Sequence, residues 1–199
     1  LGLPREDNPQ LGVRGSRLFV TRPDLLTAQA RALARASQYG VIDVLYPMVT
    51  DKDQFVAVRE KFLEAIAGIS ADAIRHGAMF EIPSACICAR EIFEEADFGS
   101  IGTNDLTQYL FAVDRDNELV ASEYNPDRKA FWSLIETVSR AADDAKRPLS
   151  ICGEMAGNPA YTAKFMQLGI RRLSVSPRLI PEVRRAAANQ ASFASGEFI

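Results

Sequence analysis

Short apolar runs alternate with amphipathic helical stretches along almost the whole of this chain, and that alternation restricts its fold more than any other feature. A strand that rejoins its sheet after a helical crossover runs parallel to its predecessor, and the crossover is right-handed. Pro23 to Ser37 reads as a helix, with proline in its first turn and Gly40 just beyond its end. Val41 to Met48 reads as the first strand. Thr50 is the expected N-cap of the next helix, with Asp53 in its first turn and Phe55, Val58, Phe62 and Ile66 at helical spacing. His76 to Ile82 and Asp97 to Thr103 are strands, separated by a helix from about Pro83 to Glu95. A long connection then runs from Asn104 to about Asp127. It leads to a helix over Arg128 to Lys146, a strand over Leu149 to Cys152 and a helix from Asn158-Pro159 to near Gly169. A strand over Arg171 to Ser176 and a helix over Pro181 to Gln190 complete the pattern.

Five such units are more than half of an eight-stranded barrel, which typically takes about 250 residues. A chain of 199 residues is too short to close one. The expectation is therefore an α/β fold with a parallel sheet: either an open doubly wound sheet, or the later part of a (β/α)8 TIM barrel, about its last five strands. The strands should follow one another in order, leaving Val41 to Met48 exposed along one edge. A hydrophobic content of 47% supplies a sizeable core, and nothing resembles a linker between two domains. The chain starts at Leu1, and Pro4 to Gly12 reads as loop, as in a piece of a larger protein.

A net charge of −3 and interleaved acidic and basic residues argue against nucleic acid as a partner; Arg171-Arg172 and Arg184-Arg185 are isolated pairs. No apolar run approaches the roughly 20 residues needed to span a bilayer, and Leu1 to Gln10 does not have the pattern of a signal peptide. The expectation is a soluble, cytoplasmic protein without membrane insertion. Three cysteines without staple-like spacing fit that compartment. Cys86 and Cys88, two apart in a helix, point to nearly opposite sides and cannot share a metal there.

Residues with chemistry to offer fall where α/β proteins keep it, at strand carboxyl ends. Glu81 closes one strand before Pro83, Asn104-Asp105 follows the next, and Cys152 ends a third. Three distant segments thus each present a polar or reactive group in an equivalent place, which suggests a metal-assisted active site. Read singly, each has a plainer role. Asp and Glu often cap the helix that follows, a loop arginine is ordinarily a solvated surface residue, and a small cysteine in a strand is ordinarily inert packing.

The segments Asn8-Pro9-Gln10-Leu11-Gly12-Val13-Arg14, Glu81-Ile82-Pro83, Gly102-Thr103-Asn104-Asp105-Leu106-Thr107-Gln108-Tyr109, Ala112-Val113-Asp114-Arg115 and Cys152-Gly153-Glu154-Met155-Ala156-Gly157 resemble the phosphoenolpyruvate-binding barrel of the phosphoenolpyruvate-utilising enzymes. Enzyme I of the bacterial sugar phosphotransferase system, phosphoenolpyruvate synthase and pyruvate phosphate dikinase share that barrel. The resemblance covers nearly the whole chain in the right order. Asn-Asp-Leu-Thr-Gln-Tyr followed closely by Ala-Val-Asp-Arg is most similar to enzyme I, the phosphoenolpyruvate-protein phosphotransferase, whereas Arg14-Gly15-Ser16-Arg17 and Asp114 to Val120 lean toward the synthase.

The resemblance implies Mg²⁺ as cofactor, held by Glu81 and Asp105, and the chemistry agrees, since magnesium takes one or two carboxylates plus substrate oxygens and water. It implies that Arg14, Asn104 and Arg115 hold the phosphate and carboxylate of phosphoenolpyruvate, a task that suits arginine's planar fork. Cys152 resembles the general acid that protonates the enolpyruvate carbon; a thiol with pKa around 8.5 can give or take a proton near neutrality. The implied reaction is transfer of the phosphoryl group from phosphoenolpyruvate to a histidine on a separate domain, with release of pyruvate. The implied partners are that phosphohistidine domain and a phosphocarrier protein, and the implied parent is a homodimer. The one histidine, His76, stands just before a strand, at the end opposite the site, and cannot be the acceptor. Residues 1–199 would then be a barrel domain incomplete at its N-terminus, lacking further substrate-binding arginines, and cut short in its last helix after Gln190. Sugar uptake and nitrogen regulation remain open as settings, and so does a non-catalytic module that senses phosphoenolpyruvate or pyruvate, although binding alone needs no proton donor.

Overall fold

The computed structural model describes residues 2–195. A 3-10 turn at Pro9–Leu11 precedes α1 (Ser16–Thr21) and α2 (Pro23–Ala36). Pro23 opens α2 where an N–H would lack a helical partner in any case, and Leu26, Ala30 and Ala34 form its buried stripe. The chain continues through β1 (Ile42–Tyr46), α3 (Lys52–Ala65), β2 (Ile74–Phe80), α4 (Pro83–Ile87), α5 (Ala89–Phe93) and β3 (Phe98–Gly102). It ends with α6 (Thr103–Phe111), α7 (Lys129–Asp144), β4 (Leu149–Cys152), α8 (Pro159–Gln167), β5 (Arg172–Leu173) and α9 (Ile180–Ser195).

All five strands are parallel and lie in the order β1-β2-β3-β4-β5, so the sheet is open and β1 and β5 are its edges. Sequential order follows from crossovers that each move one position in the same direction. Because side chains alternate between faces, Tyr46, Ala78, Phe80, Ile101 and Ile151 make one face, buried in the core beneath the helices. Phe80 and Phe93 pack with tilted rings 4.9 Å apart, and Phe131, Trp132 and Phe165 join α7 to α8. Met79, Ser100 and Ser150 belong to the opposite face, in register across β2, β3 and β4, and Cys152 lies on that face two residues beyond Ser150, opposite Gly102. Parallel strands place every carboxyl end on one side, and this delivers Glu81, Asn104, Asp105 and Cys152 to the same rim. Among the described residues no helix is long and apolar enough to cross a membrane.

Several local expectations need correction. Asp51, not Thr50, caps α3, its carboxylate accepting the Gln54 N–H at 2.8 Å, while the Thr50 hydroxyl donates to Asp51. The single helix expected over Pro83 to Glu95 is broken at Cys88, whose ψ of 21° lies outside the helical range. The long connection expected from Asn104 begins instead as α6, directly off Gly102. Buried Thr103, Thr107 and Gln108 accompany Leu106 on its inner face, so hydrophobic periodicity did not mark it. β5 keeps only two residues, and α9 continues past Gln190 to Ser195. His76 lies inside β2 rather than before it. It is 8% exposed, stacks on Tyr46, meets Phe62 edge-on at 5.2 Å and has its Nδ1 2.9 Å from the Tyr46 hydroxyl.

The aromatic packing yields a direct stability test. Phe62 is fully buried against Tyr46 and His76, so Phe62→Ala should cost about 3–5 kcal/mol of unfolding free energy, measured by urea denaturation. The edge yields a second. β1 has no strand partner on its outer side among the described residues, and Val41 beside it is 65% exposed. Analytical ultracentrifugation should show concentration-dependent association, reduced when Val41 and Leu45 are both replaced by lysine. A monomer at all concentrations would contradict this account of the edge.

Candidate active site

Glu81 follows the last residue of β2, and Pro83 starts α4 two residues later, so the carboxylate is fixed between two rigid elements. It is 4% exposed, and its Oε1 accepts the Met48 backbone N–H at 2.7 Å. Met48 holds a left-handed φ of 59°, uncommon for a residue with a Cβ, and this turn after β1 accompanies the N–H aimed at Glu81. The preceding carbonyl, of Pro47, accepts both the N–H and the hydroxyl of Ser16, at 3.1 and 2.6 Å. Gly102 ends β3 alongside; a Cβ there would lie 2.8 Å from Glu81 Oε2, so the glycine makes room for the carboxylate.

Asp105 sits in the first turn of α6, one strand over. It faces Arg14, with Nη2 3.1 Å from Oδ2 and Nη1 3.4 Å from Oδ1. Nη1 also donates to the Tyr109 hydroxyl at 2.9 Å and to the side-chain carbonyl of Gln10. The Tyr109 hydroxyl in turn donates to the Gln10 backbone carbonyl. The N-terminal turn is thereby tied to α6 through one guanidinium and one phenol.

Burial pushes the Glu81 carboxyl up to about 7, against the pull of the Met48 N–H, and neighbouring Asp105 adds to the rise while Arg14 opposes it. Two adjacent carboxyl groups, one of them buried, make a place where positive charge is favourable. Among the described residues no group of three or more His, Cys, Asp or Glu is arranged to hold a metal ion, and this site offers two carboxylates. That set fits a hard cation such as Mg²⁺, which completes its octahedron with water and the oxygens of an anionic ligand.

Cys152 ends β4 opposite Gly102. Its Sγ is 3.4 Å from the Ile101 carbonyl and 3.7 Å from the Ser100 hydroxyl. Burial raises its pKa, and the charges of Glu81 and Asp105 raise it further, which places the thiol in the same electrostatic neighbourhood as the two carboxylates. Asn104 turns its Oδ1 to the Glu154 N–H at 3.0 Å, and Thr103 donates to the Cys152 carbonyl at 2.8 Å. These bonds fasten the start of α6 to the turn after β4. Gly153 takes a φ of +88° there, and a Cβ on it would approach Asn104 Oδ1 to 2.7 Å.

The structure therefore gathers Arg14, Glu81, Asn104, Asp105 and Cys152 on one rim. Arg115 is different: its backbone N–H reaches Gln108, but the residue is exposed on the loop after α6. Its charge is felt by Tyr124, whose hydroxyl donates to the Asn104 carbonyl, so Arg115 flanks the rim rather than joining it. His76 is five residues before Glu81 on β2, about 16 Å along the strand, and on the helix-covered face. Four contributors carried no sequence signal of their role: Gln10, Met48, Ser100 and Tyr109. Met48 acts through its backbone, Ser100 reads as an ordinary strand residue, and Gln10 and Tyr109 depend on a contact 99 residues apart in sequence.

A family model described as PEP-utilising enzyme, PEP-binding domain matches residues 1–192. Similar curated proteins include a phosphoenolpyruvate-protein phosphotransferase of Geobacillus stearothermophilus, 41% identical over 190 residues, covering 92% of this chain and 33% of that protein. A multiphosphoryl transfer protein of Xanthomonas campestris is 40% identical over 185 residues, covering 92% of this chain and 22% of its own length. The chain thus spans a third or less of these relatives. Among solved structures, a HpcH/Hpal aldolase/citrate lyase family protein from Burkholderia cenocepacia superposes with a TM-score of 0.56 at 14% identity, covering 83% of this chain and 69% of that one. That likeness concerns the fold alone, and with the open five-stranded sheet it fits a partial (β/α)8 barrel.

The Glu81 environment predicts its own pH signature. A carboxyl that titrates at about 7 when folded and at 4.5 when unfolded holds extra protons in the folded state between those values. Stability is therefore lost as pH rises through that window, by about 3 kcal/mol once both forms are ionised. Glu81→Gln, which keeps an acceptor for the Met48 N–H, should raise the metal-free melting temperature at pH 8 and leave it unchanged at pH 4.5. Thermal melts of both proteins across that range measure the difference.

Proposed function

Since the chain belongs to the PEP-utilising enzymes through their PEP-binding domain, we propose that its rim binds phosphoenolpyruvate with Mg²⁺ and supports phosphoryl transfer to a histidine outside residues 1–199, leaving pyruvate. The observation that carries this reading is the meeting of two carboxylates, an arginine and a protonated thiol at one set of strand ends. On the same reading, residues 1–199 act as a phosphoenolpyruvate-binding barrel domain within a longer cytoplasmic protein of the sugar-transporting phosphotransferase type. A separate phosphohistidine domain and a phosphocarrier are its partners, and the parent is a dimer.

Glu81 and Asp105 would hold the metal ion, which when bound supplies positive charge to the phosphoryl and carboxylate oxygens of the substrate. Arg14, already at the rim, would offer a planar fork to the same anion, and Asn104, whose side-chain oxygen braces the turn after β4, would offer its amide N–H groups. Arg115 reaches the substrate only by swinging in from its exposed loop. As the P–O bond to the enol oxygen breaks, the phosphoryl group leaves for the acceptor and the electron pair remains on the enolate. The enolate carbon then takes a proton from the Cys152 thiol, completing the methyl group of pyruvate. Burial and the neighbouring carboxylates keep that thiol protonated at neutral pH, which suits a proton donor and drives its reprotonation from water afterwards.

The reading separates proton transfer from phosphoryl transfer. With Mg²⁺ and pyruvate, the 199-residue chain should exchange pyruvate methyl protons with deuterated water, followed by proton NMR, and Cys152→Ala should slow that exchange at least about 100-fold. Pyruvate affinity should change by less than about twofold, because the thiol acts after the ligand is seated. The chain alone should transfer no phosphoryl group, since its histidine is buried on the wrong face. Unchanged exchange in the Cys152 variant would remove it from the mechanism.

A further inference from the structure

We propose that Tyr109 is a positioning residue for Arg14, keeping the guanidinium at the rim when Asp105 turns to a cation; this rests on the reading of the rim as a metal and phosphoenolpyruvate site. Arg14 lies in a short loop between the Pro9–Leu11 turn and α1, and nothing in that loop by itself would fix so long a side chain. Its direction comes from three acceptors: the Asp105 carboxylate, the Tyr109 hydroxyl and the Gln10 side chain. Of these, Asp105 is the one that a metal ion would also claim. A cation and a guanidinium compete for the same oxygens, so the ion pair is not a permanent anchor.

Tyr109 is. It stands one helical turn after Asp105 on α6, so both side chains leave the same face of the helix. A phenol has one proton to donate. That proton goes to the Gln10 backbone carbonyl, which leaves an oxygen lone pair as the acceptor for Arg14 Nη1. Gln10 closes the ring from the other side, since its side-chain carbonyl accepts from the same Nη1. The arrangement Gln10, Tyr109, Arg14 therefore stays complete with Asp105 removed from it. A rigid helix carries the phenol, so the guanidinium is aimed before any anion arrives and less ordering is left for the binding step. The plainer role for Tyr109 is to pin the N-terminal turn to α6 through the Gln10 carbonyl alone.

Two measurements on the 199-residue chain separate these roles. In calorimetric titrations with phosphoenolpyruvate at saturating Mg²⁺, Tyr109→Phe should weaken binding by about five- to tenfold. Mg²⁺ affinity without phosphoenolpyruvate should stay within about twofold. In an Arg14→Met background the same change should add nothing, because it acts through Arg14. Equal losses in both backgrounds would overturn the inference. Independently of any ligand, nitrogen NMR should show the Arg14 guanidinium protons exchanging with water several-fold faster in Tyr109→Phe. Unchanged exchange would assign Tyr109 to loop structure alone. A chain that binds no phosphoenolpyruvate would overturn the proposed function, and the exchange measurement would still decide for or against Tyr109.

Discussion

Glu81 and Asp105 sit side by side at the carboxyl end of the sheet, and an ionised pair in that place is unfavourable until positive charge joins it. Much of the surrounding architecture serves to hold them there. The Met48 N–H fixes one oxygen of Glu81, Gly102 leaves room for the other, and Arg14 reaches in from the N-terminal turn to face Asp105. Packing alone would favour an apolar residue at the Glu81 position, so the carboxylate costs stability that an isolated domain has no structural reason to give up. On the proposed reading, a cation bound there would offset that cost.

Two kinds of element meet at the rim, and they differ in rigidity. β2, β3 and β4 are central, with cores of phenylalanine and isoleucine beneath them, and they position Glu81 and Cys152 through backbone geometry. The N-terminal turn instead brings Arg14 by side-chain contact, and the loop after α6 carries Arg115 at the flank. Arg14 is drawn into a ring of hydrogen bonds, whereas Arg115 remains outside with its loop held by Tyr124 and by Arg128 over the Phe111 ring. On the proposed reading this division would suit a site that fixes its metal and proton donor while its arginines adjust to a bound anion.

The alternation of strands and helices was legible because β1 to β4 are short, mostly apolar stretches bounded by turn residues and the major helices carry apolar stripes, and the sheet order followed from it. The strand-end residues were legible too, since Glu81, Asp105 and Cys152 occupy equivalent places in successive units. What periodicity could not reveal is polar burial. Thr103, Thr107 and Gln108 are buried in α6 by contacts with the neighbouring β4 turn and the following loop, so the helix looked like a connection. The break at Cys88 has no glycine or proline to announce it. The roles of Met48 and Tyr109 depend on a backbone angle and a long-range contact, neither of which residue type discloses.

On the proposed reading, one divalent ion is shared by Glu81 and Asp105 when phosphoenolpyruvate is bound. Crystals of the chain grown with phosphoenolpyruvate and Mn²⁺ in place of Mg²⁺ would locate the ion by anomalous scattering. The account predicts a single peak at about 2.1–2.2 Å from a carboxylate oxygen of each residue, with Arg14 moved from Asp105 to the bound anion and still on Tyr109. A peak that touches only one of the two carboxylates, or an ion bound elsewhere with the Arg14–Asp105 pair intact around a bound phosphoenolpyruvate, would contradict it.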